Sequence, residues 1–236
     1  MVNTRAIVLT RKDYKDHHSL VCFYSLDFGK INLIARGTKK STSKLIGHLE
    51  PLNLVNLMII KGRERDYVGS VISENSFLNI KSDYDLINIS SQAVRFLLDL
   101  TYENGVDYDI FLLLKDFLSS LDNLKKGDFL AQFYLTCFQL KLLRLLGYDF
   151  DFSLCSSCGK AEASFFDYYN KEVLCSDCVS ASPFLRDNSI KLSSAVLAWK
   201  DKILSSAKIG FSGLKISQSQ KKDLDKFIET IRKTVF

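Results

Sequence analysis

The sequence has no long apolar run and few residues that break secondary structure. No stretch of about 18 uninterrupted apolar residues occurs, and charged residues closely flank the one short apolar run near the N-terminus, so we expect neither a membrane span nor a secretory signal. Only 2 prolines and 11 glycines occur among 236 residues, and no long Pro/Gly/Ser linker divides the chain. The composition therefore predicts a packed cytosolic protein with no membrane partner.

Signatures of common enzymes are missing as well. The segment from Gly37 to Lys44 superficially resembles a phosphate loop, but no glycine stands immediately before its Lys-Ser pair. The chain contains no HExxH or GxSxG motif, and its 3 histidines lie near no cysteine that would complete a catalytic dyad. We expect a binding protein and not an enzyme.

Acidic residues are absent from the run between Phe28 and Leu49. The first 80 residues carry 12 Lys and Arg against 7 Asp and Glu, residues 186–236 carry 11 against 5, and the middle of the chain is acidic. The cations of the acid-free run are Lys30, Arg36, Lys39, Lys40 and Lys44. An exposed lysine-rich loop is often only a solvated surface, but no acid neutralises this run and its Gly, Ser and Thr residues offer small donors to phosphate oxygens.

The first 80 residues read as about five short strands. Runs rich in Val, Ile, Leu, Phe and Tyr alternate with turn signals, including Asp27–Lys30 as a hairpin turn and a second basic turn, Lys61–Arg65. Five antiparallel strands of this length fit a small closed barrel, either an OB-fold or an SH3-like barrel. Tyr14, Phe23, Tyr24, Phe28 and Tyr67 are candidates for base stacking, and at most one of the neighbours Phe23 and Tyr24 is expected to face the core.

Beyond residue 83 the apolar period changes from two to between three and four residues. The pattern predicts five amphipathic helices, of which the first is capped by Ser82 or Asp83 and stopped by Gly105. The third begins after Gly127, with Asp128 as its N-cap, and ends at Gly147. Since no linker separates them, we expect a packed bundle.

Four of the 6 cysteines form two tight pairs in a cytosolic context. Cys155 and Cys158 are separated by two residues, as are Cys175 and Cys178, which is the spacing of a four-cysteine zinc site. The segment between the pairs can form a hairpin that brings both turns together. Four thiolates leave no coordination position for water, so one structural zinc per chain is favoured over two disulfides, a redox CxxC or an iron–sulfur cluster. A redox CxxC would normally open a helix after a strand, which is not expected here.

With these parts in this order, the chain resembles the RecO family of bacterial DNA-repair proteins over essentially its full length. The most specific pieces are "DFGKINLIARGTKKSTSKLIGHLEP" and "LLRLLGYDFDFSLCSSCG". The resemblance implies an α+β multidomain protein with an N-terminal five-stranded OB-fold β-barrel, an α-helical bundle and a four-cysteine zinc module inserted between helices. We expect the OB-fold over residues 1–80, helices over 81–148 and 185–236, and the zinc module over 149–184.

The resemblance also implies a function. Such a protein binds single- and double-stranded DNA, anneals complementary strands and works with RecR to help RecA load onto DNA coated by single-strand binding protein, at the bacterial nucleoid. The acidic C-terminal tail of single-strand binding protein is an expected partner, docked by Lys141 and Arg144 or by the last helix. Arg36, Lys39, Lys40 and Lys44 match the basic loop of the family, whereas Arg63 and Arg65 are DNA-contact candidates from their turn alone.

Two other functions remain open from the residues. A zinc-dependent hydrolase or deaminase is disfavoured because four cysteines close the metal shell. An RNA-binding accessory factor of transcription or translation, built from an OB-fold and a zinc ribbon, shares the barrel, the charge and the metal. Annealing of complementary strands distinguishes it from the DNA-repair hypothesis.

Overall fold

The structure is a computed structural model that describes residues 1–40, 43–125, 130–148, 153–161, 163–170, 172–205 and 217–235. The chain divides into two compact units, Met1–Leu135 and Thr136–Phe236. The strands are β1 (Val2–Tyr14), β2 (His18–Ser25), β3 (Gly29–Ala35), β4 (Leu54–Ile60), β5 (Tyr67–Asn75), β6 (Phe165–Asp167), β7 (Glu172–Leu174) and β8 (Ser189–Lys191). The helices are α1 (Leu78–Lys81), α2 (Tyr84–Leu100), α3 (Tyr108–Asp122), α4 (Leu130–Leu145), α5 (Ser176–Ala181), α6 (Pro183–Asn188), α7 (Ser194–Ser205) and α8 (Gln218–Val235).

Five strands of the first unit close into a barrel in the order β1-β2-β3-β5-β4. Four of the neighbouring pairs are antiparallel, and one parallel pair, Ile34 with Tyr67, joins β3 to β5. The register of β1 with β2 shifts between Val8 and Thr10, and the other half of β1 pairs with β4, so one bent strand serves two sides of the barrel. This topology confirms the predicted OB-fold barrel.

Alternating side chains of the strands fill the barrel. The core includes Val8, Phe23, Leu33 and Val55, and each such side chain contributes about 1.5–3 kcal/mol on burial. As expected, Phe23 lies in the barrel core and Tyr24 does not, yet both side chains are fully buried. Alternation does place them on opposite faces, but the outer face of this part of the barrel is covered by the rest of the first unit.

The chain between α2 and α3 provides that cover. Gly29 adopts φ +63°, and a Cβ at this position would stand 1.9 Å from the carbonyl oxygen of Gly105, so the close approach requires glycine. Lys30 donates from Nζ to the carbonyl oxygens of Leu98 and Thr101 at the C-terminal end of α2. Helix α2 ends at Leu100 and not at the predicted Gly105, because the following residues run beside β3, where the N–H of Asn104 donates to the carbonyl oxygen of Lys30 at 2.9 Å.

Aspartates begin the two long helices of the first unit. Asp83 accepts hydrogen bonds from the N–H groups of Asp85 and Leu86, so Asp83 is the N-cap of α2 and Ser82, the other predicted candidate, is not. Asp107 caps α3 in the same way. The buried faces of both helices follow the predicted three-to-four-residue period. No helix in the described ranges is both long enough and apolar enough to cross a membrane.

The second unit combines helices with a small antiparallel sheet. β6 and β7 form the predicted hairpin, and β8 pairs with the free side of β6, an addition that the sequence did not indicate. α4 ends at Leu145, two residues before the predicted stop at Gly147, which adopts φ +88°, whereas Gly127 and Asp128 lie outside the described residues. Thr136 donates to Asp225 at 2.6 Å, and Phe166 meets Phe227 edge to face at 6.0 Å, so α8 packs against both α4 and the sheet. The three short helices α1, α5 and α6 add to the five predicted ones.

Candidate nucleic-acid interface and metal centre

The basic loop connects β3 to β4, and the ends of its described part are held by buried or half-buried polar groups. The N–H of Gly37 donates to Nδ1 of His18 at 3.1 Å, and the hydroxyl of the buried Thr38 lies 2.7 Å from that of Ser19. At the other end, Nδ1 of His48 accepts from the N–H of Ser73 at 3.1 Å. These contacts fix both ends of the loop to the barrel. Arg36, Lys39, Lys40 and Lys44 are all exposed.

Arg36 and Arg65 meet in one cleft of about 400 Å³. The guanidinium carbon of Arg36 lies 3.9 Å from the centre of the Tyr67 ring, and that of Arg65 lies 5.9 Å from the Tyr14 ring. The cleft is lined by Tyr14, Lys15, His18, Ile34, Arg36, Glu64, Arg65 and Tyr67. It offers cations for phosphate groups and aromatic rings for bases on the same surface.

The acid-free run is not free of acidic neighbours in space. Nζ of Lys39 lies 2.9 Å from a carboxylate oxygen of Asp13 on β1. The idea that no acid neutralises the run is therefore wrong for Lys39, since a strand far away in sequence supplies the partner. The side chain of Asp13 is 80% exposed and that of Lys39 is 35% exposed, so water screens the pair and phosphate can compete for the lysine.

The second basic turn lies between β4 and β5. Arg65 lines the cleft with Arg36, and both Arg63 and Arg65 line a second opening beside β3. Acidic residues alternate with them: Asp66 pairs with Lys61 at 2.6 Å, and Glu64 lines both openings. The turn is thus less positive than its arginines alone suggest.

The sequence did not identify two residues of the cleft, and two of the aromatic residues that it named for base stacking are not accessible. Lys15 and His18 line the cleft, and His18 is the first residue of β2. The signal was the basic stretch around Tyr14. Phe23 and Tyr24 cannot stack on bases because both are buried, and burial also raises the pKa of Tyr24.

The four paired cysteines converge in the second unit. The Sγ atoms of Cys155, Cys158, Cys175 and Cys178 all lie within 4.8 Å of one another, and those of Cys158 and Cys175 are 3.7 Å apart. All four are free thiols. Four sulfurs around a tetrahedral ion at about 2.3 Å would stand about 3.8 Å from each other, so this cluster could hold a metal ion.

Backbone hydrogen bonds shape the two turns that carry the cysteines. In the first turn, the N–H of Gly159 donates to the carbonyl oxygen of Cys155 at 2.8 Å, and Gly159 takes φ +71°. The second pair lies at a helix start, since Cys175 is the N-cap of α5 directly after β7. The expectation that no CxxC opens a helix after a strand is therefore wrong for this pair, but four sulfurs within one cluster still favour metal over redox chemistry.

The local environment favours a thiolate at Cys155. Burial opposes ionisation, but hydrogen bonds from the backbone of Cys175, Cys158 and Ser157 outweigh it and lower the pKa of Cys155 to about 6. An ionised sulfur is the form that binds metal. Outside the cluster, burial raises the pKa of Cys22 to about 11 and also raises that of Cys137.

The closed barrel with its cationic cleft and the four-thiol cluster define a class of barrel protein with a second module that could hold a metal ion. Two family models match the chain: Recombination protein O N terminal over residues 1–77 and Recombination protein O C terminal over residues 83–234. The chain belongs to the Recombination protein O family, which is a family of DNA-repair proteins.

Curated relatives agree with this assignment. The chain is 32% identical over 157 residues to the DNA repair protein RecO of Clostridium novyi (strain NT), covering 66% of this chain and 60% of that protein. It is 25% identical over 203 residues to the DNA repair protein RecO of Alkaliphilus metalliredigens (strain QYMF), covering 84% of this chain and 81% of the relative. The family confirms the predicted resemblance and favours DNA repair over an accessory role with RNA.

Proposed function

We propose that the barrel binds DNA through the cleft and the basic loop. The observation that carries this proposal is the cleft itself, where Arg36 and Arg65 lie against the rings of Tyr67 and Tyr14. Lys39, Lys40 and Lys44 extend the positive surface next to it. Phosphates of either strand type would release counterions from these cations, and unpaired bases would stack on the tyrosines.

The proposed activity is strand annealing without catalysis. Cationic side chains neutralise two strands at once and reduce their mutual repulsion, while the aromatic rings hold bases unpaired until complementary bases meet. No bond is made or broken, so the step needs neither ATP nor a catalytic group. This proposal agrees with the absence of common enzyme motifs from the sequence.

Within a bacterial cell the proposed role is that of a recombination mediator at the nucleoid. With RecR, the protein would help RecA load onto DNA coated by single-strand binding protein. The acidic tail of that protein would dock on a basic surface of the helical part, for which the notable candidates are Lys141 and Arg144 on α4 and the lysines of α8. Membership of a DNA-repair family supports this role.

The four-cysteine cluster is proposed to hold one structural zinc per chain. The donor set is four sulfurs, and the 3.7 Å between Sγ of Cys158 and Sγ of Cys175 fits tetrahedral Zn–S geometry. Bound zinc would join the turn at Cys155 to the start of α5 and thereby couple metal binding to folding of the module. The proposed zinc module spans residues 149–184. The proposed helical segments on either side of it are 81–148 and 185–236, and the proposed barrel domain is 1–80.

Titration of fluorescent oligonucleotides tests the DNA-binding proposal. Arg36→Ala/Arg65→Ala should weaken binding of both single strands and duplexes, because the variant loses two phosphate contacts. The matched control is Arg95→Ala/Arg186→Ala, which removes the same charge from exposed positions on α2 and α6. Equal affinities of the cleft variant and the control would contradict the proposal.

A further inference from the structure

The closure of the barrel between β3 and β5 leaves part of a strand edge open. The N–H of Ile34 donates to the carbonyl oxygen of Asp66 at 3.0 Å, and the carbonyl oxygen of Lys30 accepts from the N–H of Asn104 at 2.9 Å. Lys30 and Ile34 thus turn their backbone groups away from β2, toward the same edge of β3. Asn32 lies midway between them, and backbone groups in a strand alternate sides, so its N–H and C=O face that edge as well.

The edge of Asn32 opens into a cavity. Among the residues that the structure describes, no backbone group bonds to Asn32 on this side, and Cys22, which lies opposite Asn32 on β2, is a non-hydrogen-bonded neighbour. The cavity has a volume of about 680 Å³ and is lined by Leu20, Ile31, Asn32, Leu33, Gly62, Arg63, Glu64, Arg65, Asp66, Glu103 and Asn104. We call this cavity the seam slit. Asn32 is half-buried and its unpaired N–H and C=O face this opening, where a ligand can hydrogen-bond to them in place of water.

The open edge is too short for a peptide strand. The flanking contacts at Lys30 and Ile34 are four residues apart, which is about 13 Å of strand. Only one residue between them offers its N–H and C=O together. An added β-strand needs several such residues in a row, so the seam slit fits a small planar group with one donor next to one acceptor.

An unpaired nucleobase has that pattern, whatever its identity. On the Watson–Crick edge, adenine and cytosine carry an amino donor next to a ring-nitrogen acceptor, and guanine and thymine carry a ring N–H donor next to a carbonyl acceptor. A single backbone N–H with its C=O can therefore bind any of the four. In a duplex the same edge is occupied by the complementary base.

Charge separates the seam slit from the neighbouring cleft. In the slit, Arg63 and Arg65 are balanced by Glu64, Asp66 and Glu103, a mixture that suits a neutral base better than a phosphate. In the cleft, Lys15, Arg36 and Arg65 face only one acid, Glu64. Arg65 lines both spaces, so a sugar-phosphate chain in the cleft can reach the slit with one base.

We propose that the seam slit holds the Watson–Crick edge of one unpaired base against the N–H and C=O of Asn32. This inference rests on the proposed DNA-binding function and deepens it. Binding through that edge selects unpaired bases without selecting sequence. When a complementary strand arrives, its base competes for the same edge and frees the nucleotide from the protein, so pairing itself drives release during annealing.

The test compares two oligothymidylates of about 12 nucleotides, a length that suits one OB-fold. One is unmodified, and the other carries N3-methylthymine at every position, which removes the ring N–H donor but keeps the phosphates and the faces of the rings. The unmodified oligonucleotide should bind roughly ten-fold more tightly, as expected for loss of a pair of neutral hydrogen bonds. Amide exchange at Asn32 should slow with the unmodified oligonucleotide only.

Two variants place the effect in the seam slit. Leu20→Trp puts a larger side chain at a half-buried lining position, and Ile72→Trp puts the same ring at an exposed position outside the slit. Leu20→Trp should bind both oligonucleotides with the weaker affinity, and Ile72→Trp should keep the ten-fold difference. A Leu20→Trp protein that does not fold leaves the comparison of oligonucleotides on the parent protein to decide.

The outcomes separate this inference from the function on which it rests. Equal affinities for both oligonucleotides, with the usual salt dependence, would overturn the slit assignment and leave DNA binding intact. If neither oligonucleotide binds, both proposals fall. Protection of the Asn32 amide by a partner protein and not by single-stranded DNA would overturn the assignment too, in favour of a peptide ligand.

Discussion

Removal of two lysines from the basic loop should lower the salt dependence of DNA binding by a calculable amount. Lys40 and Lys44 are exposed side chains of the loop that we propose lies against phosphates. Each phosphate contact to a single strand contributes about 0.7 to the slope of log affinity against log salt. Lys40→Ala/Lys44→Ala should therefore make that slope shallower by about 1.4.

Lys39 should contribute less than its two neighbours. Its Nζ lies 2.9 Å from Asp13, so DNA must compete with a carboxylate already in place. We expect Lys39→Ala alone to change the slope by less than about 0.7, and Asp13→Asn to strengthen binding, because the lysine is then released and a negative charge is removed. The two substitutions thus act in opposite directions at one ion pair.

The assay is fluorescence anisotropy of a labelled single strand over a range of salt concentrations. A roughly four-fold rise in salt should cost the double variant about 7-fold less affinity than it costs the parent. Lys125→Ala/Lys191→Ala removes the same charge from exposed positions outside the loop and serves as the control. The reasoning is refuted if the loop variant keeps the parental slope, or if the control loses as much of it.

Further predictions concern the metal, the thiols and the separation of two surfaces. The purified protein should carry about one zinc per chain, and Cys155→Ser should lower both zinc content and thermal stability, while full stability of a metal-free sample would contradict a structural role. At pH 8 a thiol-alkylating reagent should label no cysteine of the zinc-loaded protein rapidly and four after chelation, because loss of zinc opens the module to solvent, whereas burial raises the pKa values of Cys22 and Cys137 and keeps them protonated; rapid labelling of six would show that these two are not buried. Arg36→Glu/Lys40→Glu should abolish DNA binding while a peptide of the single-strand binding protein tail still binds, since exposed charges more than about 8 Å apart are largely screened at physiological salt. A joint loss of both affinities in a folded protein would indicate one shared groove.

Local patterns in the sequence predict much of this fold because each depends on residues close together in the chain. The hairpin turn at Gly29, the cap at Asp83, the stop of α4 just before Gly147 and the convergence of the cysteine pairs all arise in this way. The other features of the fold depend on contacts between residues that are far apart in the sequence. The pairing of Lys39 with Asp13 joins residues on different parts of the barrel, and alternation along β2 cannot tell that another segment covers Tyr24.

The candidate site was predictable in its chemistry but not in its assembly. The sequence indicated Arg36 and Arg65 separately, and only the fold brings them together beside Tyr14 and Tyr67. It also gave no sign of the unpaired edge at Asn32, because that feature depends on where two other segments stop pairing with β3. Strand edges are properties of a whole sheet, and local periodicity does not report them.

Annealing of complementary oligonucleotides coated with single-strand binding protein tests the central claim most directly. In the absence of ATP, the parent protein should speed duplex formation, Arg36→Ala/Arg65→Ala should lose most of this effect, and Arg95→Ala/Arg186→Ala should retain it. An annealing rate that the parent protein does not raise, or that the cleft variant raises equally, would contradict the account.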